Sequence, residues 1–174
     1  MGELSDLAKI YPYSESSGMQ RRIADNYLVD ILAHPDEGSE FDKKIGPFKK
    51  IFRIPVVQDL LVSVATKYLL TKGYDLLMLS HEDTVIGHYA FQIHDDSLHV
   101  FSIRIDPKYR GNGLTKRFGP EIINYARNRG IRRIRDGAGG NEFIKRDYAL
   151  ICLNASSLGV KPLDNYWLEL ESTV

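Results

Sequence analysis

Between Leu98 and Gly130 the chain reads strand, glycine-bearing turn, helix, and the rest must be arranged around that unit. Leu98 to Ile105 is rich in β-branched and aromatic residues. Asp106-Pro107 ends the strand, because proline donates no ladder hydrogen bond and holds its predecessor extended. Arg110-Gly111-Asn112-Gly113-Leu114-Thr115 follows. Leu114, Phe118, Ile122 and Ala126 then recur at helical spacing, and Gly130 is a natural stop, since glycine takes the left-handed position that closes a helix.

Two glycines in that turn remove the Cβ atoms that would hold a ligand off the backbone. The first amides of a helix lack intrahelical partners and carry partial positive charge, so successive free N–H groups there form an anion cradle. Lys108, Arg110, Lys116 and Arg117 surround it. The stretch suits a phosphate or diphosphate, although a glycine pair alone also makes an ordinary tight turn with solvated charges. A P-loop would need Gly-Lys-Ser/Thr, which is missing. A dinucleotide fingerprint would need a third glycine where Lys116 stands and an acidic residue on a following parallel strand, and both conditions fail.

Arg110-Gly111-Asn112-Gly113-Leu114-Thr115 resembles the Arg-x-x-Gly-x-Gly/Ala signature of the GNAT N-acetyltransferase superfamily, with Thr115 in place of the last small residue. Ile105-Asp106-Pro107-Lys108-Tyr109-Arg110 looks like that family's strand end and lead-in, and Thr84-Val85-Ile86-Gly87 like its preceding strand. The resemblance spans roughly Tyr74 to Val160 and leaves residues 1–55 as an atypical helical part of a single domain, 1–174. It implies an α/β (α+β) fold: a mixed, mostly antiparallel sheet with helices on both faces and a splayed strand pair. It implies acetyl-CoA, or another acyl-CoA, as co-substrate. The acetyl group would pass by direct attack to an amine of a small molecule, peptide or protein. The backbone of Ile103, Arg104 and Ile105 would line the acyl and pantetheine end, Arg110 to Thr115 (Arg110, Gly111, Asn112, Gly113, Leu114, Thr115) would hold the diphosphate, and Asn141 would contact the cofactor. The alternative is an inactive acyl-CoA-binding regulatory module of the same fold.

The remaining elements follow from periodicity. Met1 to Ser16 reads as arm or loop, Met19 to Ala33 as a helix behind a capping box at Ser17-x-x-Gln20, and Phe48 to Ile54 as a short strand. Val56 to Thr71 is a helix whose stripe is Val57, Leu60, Leu61, Val64, Ala65, Tyr68 and Leu69. Tyr74–Ser80, Thr84–His94 and the central strand form an antiparallel meander. Gly119-Pro120 predicts a kink in the helix after the signature or a restart at Pro120. Ile131 to Asp136 is a strand, Glu142 to about Asn154 a helix capped by Asn141, and Leu158 to Glu171 holds a last strand.

For chemistry, alternation on the central strand puts His99, Phe101, Ile103 and Ile105 on one face. Some members of the resembled family carry a catalytic carboxylate where His99 stands, and histidine accepts a proton near neutrality. His99 is therefore a candidate base, or a histidine satisfied by Asp95 or Asp96. The resembled family often carries an acidic tyrosine where this chain has Ala155. Tyr148 is the candidate acid, although seven residues earlier, roughly 10 Å along a helix. Cys152, one turn back from Ala155, is a second proton donor or plain core.

Zero formal net charge argues against gripping nucleic acid or membrane by bulk charge. The basic cluster Arg127, Arg129, Arg132, Arg133 and Arg135 is read as a solvated face, with an anion contact as its functional alternative. No apolar run nears the roughly 20 residues that span a bilayer. The single cysteine and the lack of a basic-then-apolar start lead to the expectation of a cytoplasmic protein. His81, His88, His94 and His99 with Asp95 and Asp96 match no zinc spacing, so no metal is expected. A homodimer is admitted as an assembly.

Overall fold

The computed structural model describes residues 8–33, 54–136 and 142–171. In chain order these are strand β1 (Lys9–Pro12), helices α1 (Gly18–Ala33) and α2 (Pro55–Thr71), strands β2 (Tyr74–His81), β3 (Thr84–His94) and β4 (Ser97–Ile105), helix α3 (Thr115–Asn128), strand β5 (Arg133–Asp136), helix α4 (Glu142–Leu153), the single turn α5 (Ala155–Leu158), and strands β6 (Val160–Pro162) and β7 (Trp167–Leu170). One seven-stranded sheet runs β1-β2-β3-β4-β5-β7-β6. All its pairings are antiparallel except β4 with β5. This is the mixed, mostly antiparallel sheet that the resemblance implied.

Helices cover both faces. On one, Ala24 of α1 packs with Tyr13, Met78 and Val85. On the other, Leu98, Val100, Ile103 and Ile105 of β4 pack against Phe118 and Ile122 of α3, Ile134 of β5 and Ile151 of α4. Four of those side chains come from one strand, so β4 is the floor on which α3 is laid down.

The order of residues on β4 departs from plain alternation. Ala90 faces Ser102 while Phe91 faces Val100, so Phe101 is an extra residue in the strand. A bulge of this kind turns every later side chain over relative to the earlier ones. Leu98 and Val100 therefore share the core face with Ile103 and Ile105. His99 does not share it, and the expected grouping of His99 with those isoleucines is corrected.

Three further expectations change. The segment before Ser16 is not merely an arm: Lys9–Pro12 pairs along β2, Ile10 opposite Leu79. Proline suits the end of such an edge strand. The apolar stripe of α2 is misjudged, for Leu60 and Val64 are exposed while Val62 and Thr66 are buried. Helix α3 is continuous through Gly119-Pro120 rather than restarting there. A Cβ on Gly119 would stand 2.8 Å from Ile151 Cγ1, so the missing side chain lets α4 come close at that point. The strand expected over Phe48 to Ile54 lies outside the described residues except for Ile54, which precedes α2 in extended conformation. The last strand is the β6–β7 hairpin. Among the described residues no helix is long and apolar enough to cross a membrane.

Gly87 of β3 lies tightly under the end of β4. A Cβ there would meet the Arg104 carbonyl oxygen at 2.6 Å and Ile105 Cδ1 at 2.8 Å. Gly87→Ala is expected to destabilise the fold by about 1–3 kcal/mol in urea unfolding. Unchanged stability would mean that this approach is not tight.

Candidate active site

The chain leaves β4 through a short 3-10 turn, Pro107–Tyr109. Asp106 Oδ1 accepts from the Lys108 amide at 2.9 Å, Arg110 Nε donates to the Ile105 carbonyl at 2.9 Å, and Asn112 Nδ2 donates to the Tyr109 carbonyl at 3.1 Å. These bonds pin the entry to the glycine turn. Gly111 and Gly113 have φ of +83° and +71°. A Cβ at either would touch nothing within 4 Å, so the left-handed backbone, not crowding, selects glycine there.

The Lys116 and Arg117 amides donate to the carbonyls of Gly113 and Leu114 at 3.0 and 3.1 Å. Among the described residues no group accepts from the amides of Gly111, Asn112, Gly113, Leu114 or Thr115. Five consecutive donors at the start of α3 are thus without a protein acceptor among the described residues. Fixed donors at the positive end of a helix can hold an anion without reorganising.

Among the described residues β4 pairs with β5 from Ser97 to Val100, with Asp136 opposite Val100. Ile103, Arg104 and Ile105 lie on the part of β4 beyond that described pairing, and the glycine turn lies just past them.

On the α1 side, a cleft of about 320 Å³ is lined by Asn26, Tyr27, Asp83, Arg104 and Asp106, among others. His88 is buried, its Nδ1 3.2 Å from the hydroxyl of Tyr27, one of the lining residues. Burial, and then Arg104, hold His88 down to about 4, so it is neutral at neutral pH.

His99 sits at the paired end of β4, opposite Arg135. Its Nε2 is 3.2 Å from Ser97 Oγ, and its ring meets those of His94 and Trp167 edge-on, at 5.4 and 5.2 Å. Partial burial first, then His94, Arg135 and Arg133, lowers its proton affinity. The imidazole is accordingly free of a proton near pH 7. Neither Asp95 nor Asp96 bonds it; Asp96 pairs with Arg133 at 3.0 Å.

The Tyr148 hydroxyl donates to the Leu163 carbonyl at 3.0 Å, and its ring packs on Tyr166. Burial and Cys152 push it up to about 12. Cys152 is half-buried against the core. Asn141 lies outside the described residues. Arg129 pairs with Glu15, and Arg127 donates to the carbonyls of Leu158 and Gly159, each at 2.6 Å, so much of the arginine cluster is spent on the fold. Among the described residues no three metal-ligating side chains are grouped to hold an ion.

One group escaped the sequence reading. Asp136 stands opposite Val100, with Asp147 of α4 beside it, exposed by 0% and 1%. The hydroxyl of Tyr89, on β3, donates to Asp147 Oδ2 at 3.2 Å. Among the described residues both oxygens of Asp136 and Oδ1 of Asp147 have no hydrogen-bond partner. Burial above all raises both carboxyls, Asp147 to about 7 and Asp136 well above the carboxylate range. The available signal was Asp147 itself, a charged residue one turn before Ile151 on the buried side of α4.

Comparison with known proteins agrees with this geometry. The family model described as the Acetyltransferase (GNAT) family matches residues 49–138, more than half of the 174-residue chain. An acetyltransferase of Trypanosoma brucei superposes with a TM-score of 0.54 at 13% identity, over 90% of this chain and 94% of that one. A predicted acetyltransferase of Clostridium acetobutylicum, solved with acetyl-CoA, gives 0.51 at 15% identity, over 91% and 93%. At these identities the likeness is one of fold. A search of the curated proteins gave no match.

The buried carboxyl pair fixes the sign of a stability change. A carboxyl that titrates higher in the folded chain than in the unfolded one stabilises at low pH, and that contribution is lost as pH rises through the folded value. For Asp147 the loss falls between its ordinary value of 3.8 and about 7. His88 contributes the opposite slope between about 4 and 6.5, so the comparison must be made against the parent. Asp147→Asn is expected to flatten the parent's decline and to raise stability at pH 8 by on the order of 1–3 kcal/mol. Thermal melts from pH 4 to 8 that keep the parent's slope would refute the shift.

Proposed function

Since this chain belongs to the GNAT acetyltransferase family, we propose that it takes its acetyl group from acetyl-CoA and passes it to the amine of a small molecule, peptide or protein by direct attack on the thioester. The observation that carries this reading is the run of amides from Gly111 to Thr115, unclaimed among the described residues, just past the end of β4. The amides, with Arg110 and Lys116 nearby, hold the diphosphate. The pantetheine arm lies along Ile103, Arg104 and Ile105. Asn141 keeps the cofactor contact that the resemblance gives it.

The acceptor enters through the cleft between α1 and the β3–β4 strands, whose lining carries Asp83, Asp106 and Arg104. Charges of both signs suit a polar amine better than an apolar one. His99, neutral near pH 7, is the base that receives the amine proton, directly or through water. Tyr148 serves as acid only on giving up its bond to the Leu163 carbonyl. Its single cysteine suits a reducing compartment, and the cytoplasm is part of this proposal.

Calorimetry with acetyl-CoA and CoA, followed by mass spectrometry of reactions with an amine panel, tests the reading. The parent is expected to bind acetyl-CoA and to yield acetylated amine. Gly113→Ala forces a Cβ onto a left-handed residue and is expected to weaken acetyl-CoA binding at least tenfold. A parent that shows no binding sinks the proposal, and binding without any transfer leaves only a carrier-holding module. His99→Ala is expected to lower kcat roughly 100-fold and to remove the acidic limb of its pH profile. An unchanged profile would take the base role from His99.

A further inference from the structure

The transfer reaction leaves a thiolate on CoA, and the position where the resembled family often carries an acidic tyrosine holds Ala155. The bond from Tyr148 to the Leu163 carbonyl ties that hydroxyl to the loop before β7. The proton donor is therefore sought at the Val100–Asp136 rung. Resting on the transferase reading above, we propose that Asp136 and Asp147 share a proton there and give it to the departing CoA sulfur.

Asp136 occupies the last described rung of the β4–β5 ladder, opposite Val100. Ile103, Arg104 and Ile105, assigned to the pantetheine arm, follow Val100 on the same strand, which sets the thioester end of the arm near this rung. Asp147 reaches the rung from α4, and the two carboxyls are fully buried, with three of their four oxygens unpaired among the described residues. Two bare carboxylates at such a place are strongly disfavoured, and holding one proton between them relieves most of that penalty. Tyr89 from β3 donates to the fourth oxygen. Among the described residues, Phe118 and Gly119 of α3 and Val100 of β4 are neighbours of this group that carry no titratable side chain. Tyr148 is the other ionisable group whose proton affinity responds to Asp136. A pair that is only packing would be expected to have its oxygens satisfied, as buried polar groups usually are.

The step balances. The acceptor nitrogen attacks the thioester carbon, the C–N bond forms and the C–S bond breaks, and the bonding electrons leave on sulfur. The amine proton goes to His99. The shared proton of Asp136 and Asp147 passes to the thiolate and gives the CoA thiol. The pair then regains a proton from solvent and His99 releases one, which restores both groups.

The test compares the parent with Asp136→Asn, Asp147→Asn and Asp147→Glu. Acetyl-CoA is used with L-lysine amide, spermidine and an alanine-terminated peptide as acceptors. Circular dichroism checks folding and calorimetry checks acetyl-CoA binding. The parent's kcat is expected to fall on the alkaline side, where the pair gives up its shared proton. Both Asn variants are expected to bind acetyl-CoA within threefold of the parent, to lose roughly 100-fold in kcat and to lose the alkaline limb; Asp147→Glu regains part of the rate and the limb. Asn variants that fold, turn over at the parent's rate and keep the limb overturn the assignment. So does a ¹³C carboxyl titration of the parent in which both aspartates are ionised throughout pH 5–8, and this measurement decides the matter if the variants do not fold. A parent that acetylates none of the acceptors overturns the transferase reading together with the pair's role, whereas transfer that survives in the variants overturns the pair alone.

Discussion

Everything in this molecule that bears on a ligand depends on the parallel pairing of β4 with β5, seen from Ser97 to Val100 among the described residues. The chain that has just left β4 must return over the sheet as α3 to supply β5. The parallel pairing requires that crossover. The crossover in turn places the glycine turn at the end of β4. The parallel pair and the anion cradle are thus two results of one topological choice. The bulge at Phe101 adds to it by setting Ile103 and Ile105 against α3 while leaving Phe101 half-exposed beside Tyr74.

The unit from Leu98 to Gly130 was legible because each of its signals is local: β-branched alternation, a proline stop, glycines, a helical period. The same locality explains what was missed. Lys9–Pro12 becomes a strand only by pairing with β2, seventy residues on, and nothing inside four residues announces the partner. The Phe101 bulge is a relation between two strands and has no mark in either. The buried face of α2 was misread because its sequence is apolar almost all round, so period alone cannot choose between Leu60 and Val62. Asp136 and Asp147 each looked ordinary, one ending a strand and one inside a helix. Their meaning appears only when α4 lies across β5. Tertiary packing, not propensity, decided each of these cases.

Charge is managed locally although the whole chain is neutral. The arginines after α3 are tied to Glu15, Asp96 and the carbonyls of Leu158 and Gly159, which locks β5 and the β6–β7 hairpin against the rest. Asp75, buried, accepts from Tyr125 at 2.9 Å and from Ser14, and so joins β2, α3 and the segment after β1. Among the described residues the carboxyls of Asp136 and Asp147 leave three buried oxygens without a partner, and the Nε atoms of Arg127 and Arg135 are in the same state.

The outer borders of the sheet are described: β1 at one side and β6 at the other. Borders attract extended chains of any origin, and proteins usually blunt them with charge, proline or a covering loop. Both borders here are short and each ends in a proline, Pro12 on β1 and Pro162 on β6, which leaves little unbroken ladder for another chain to extend.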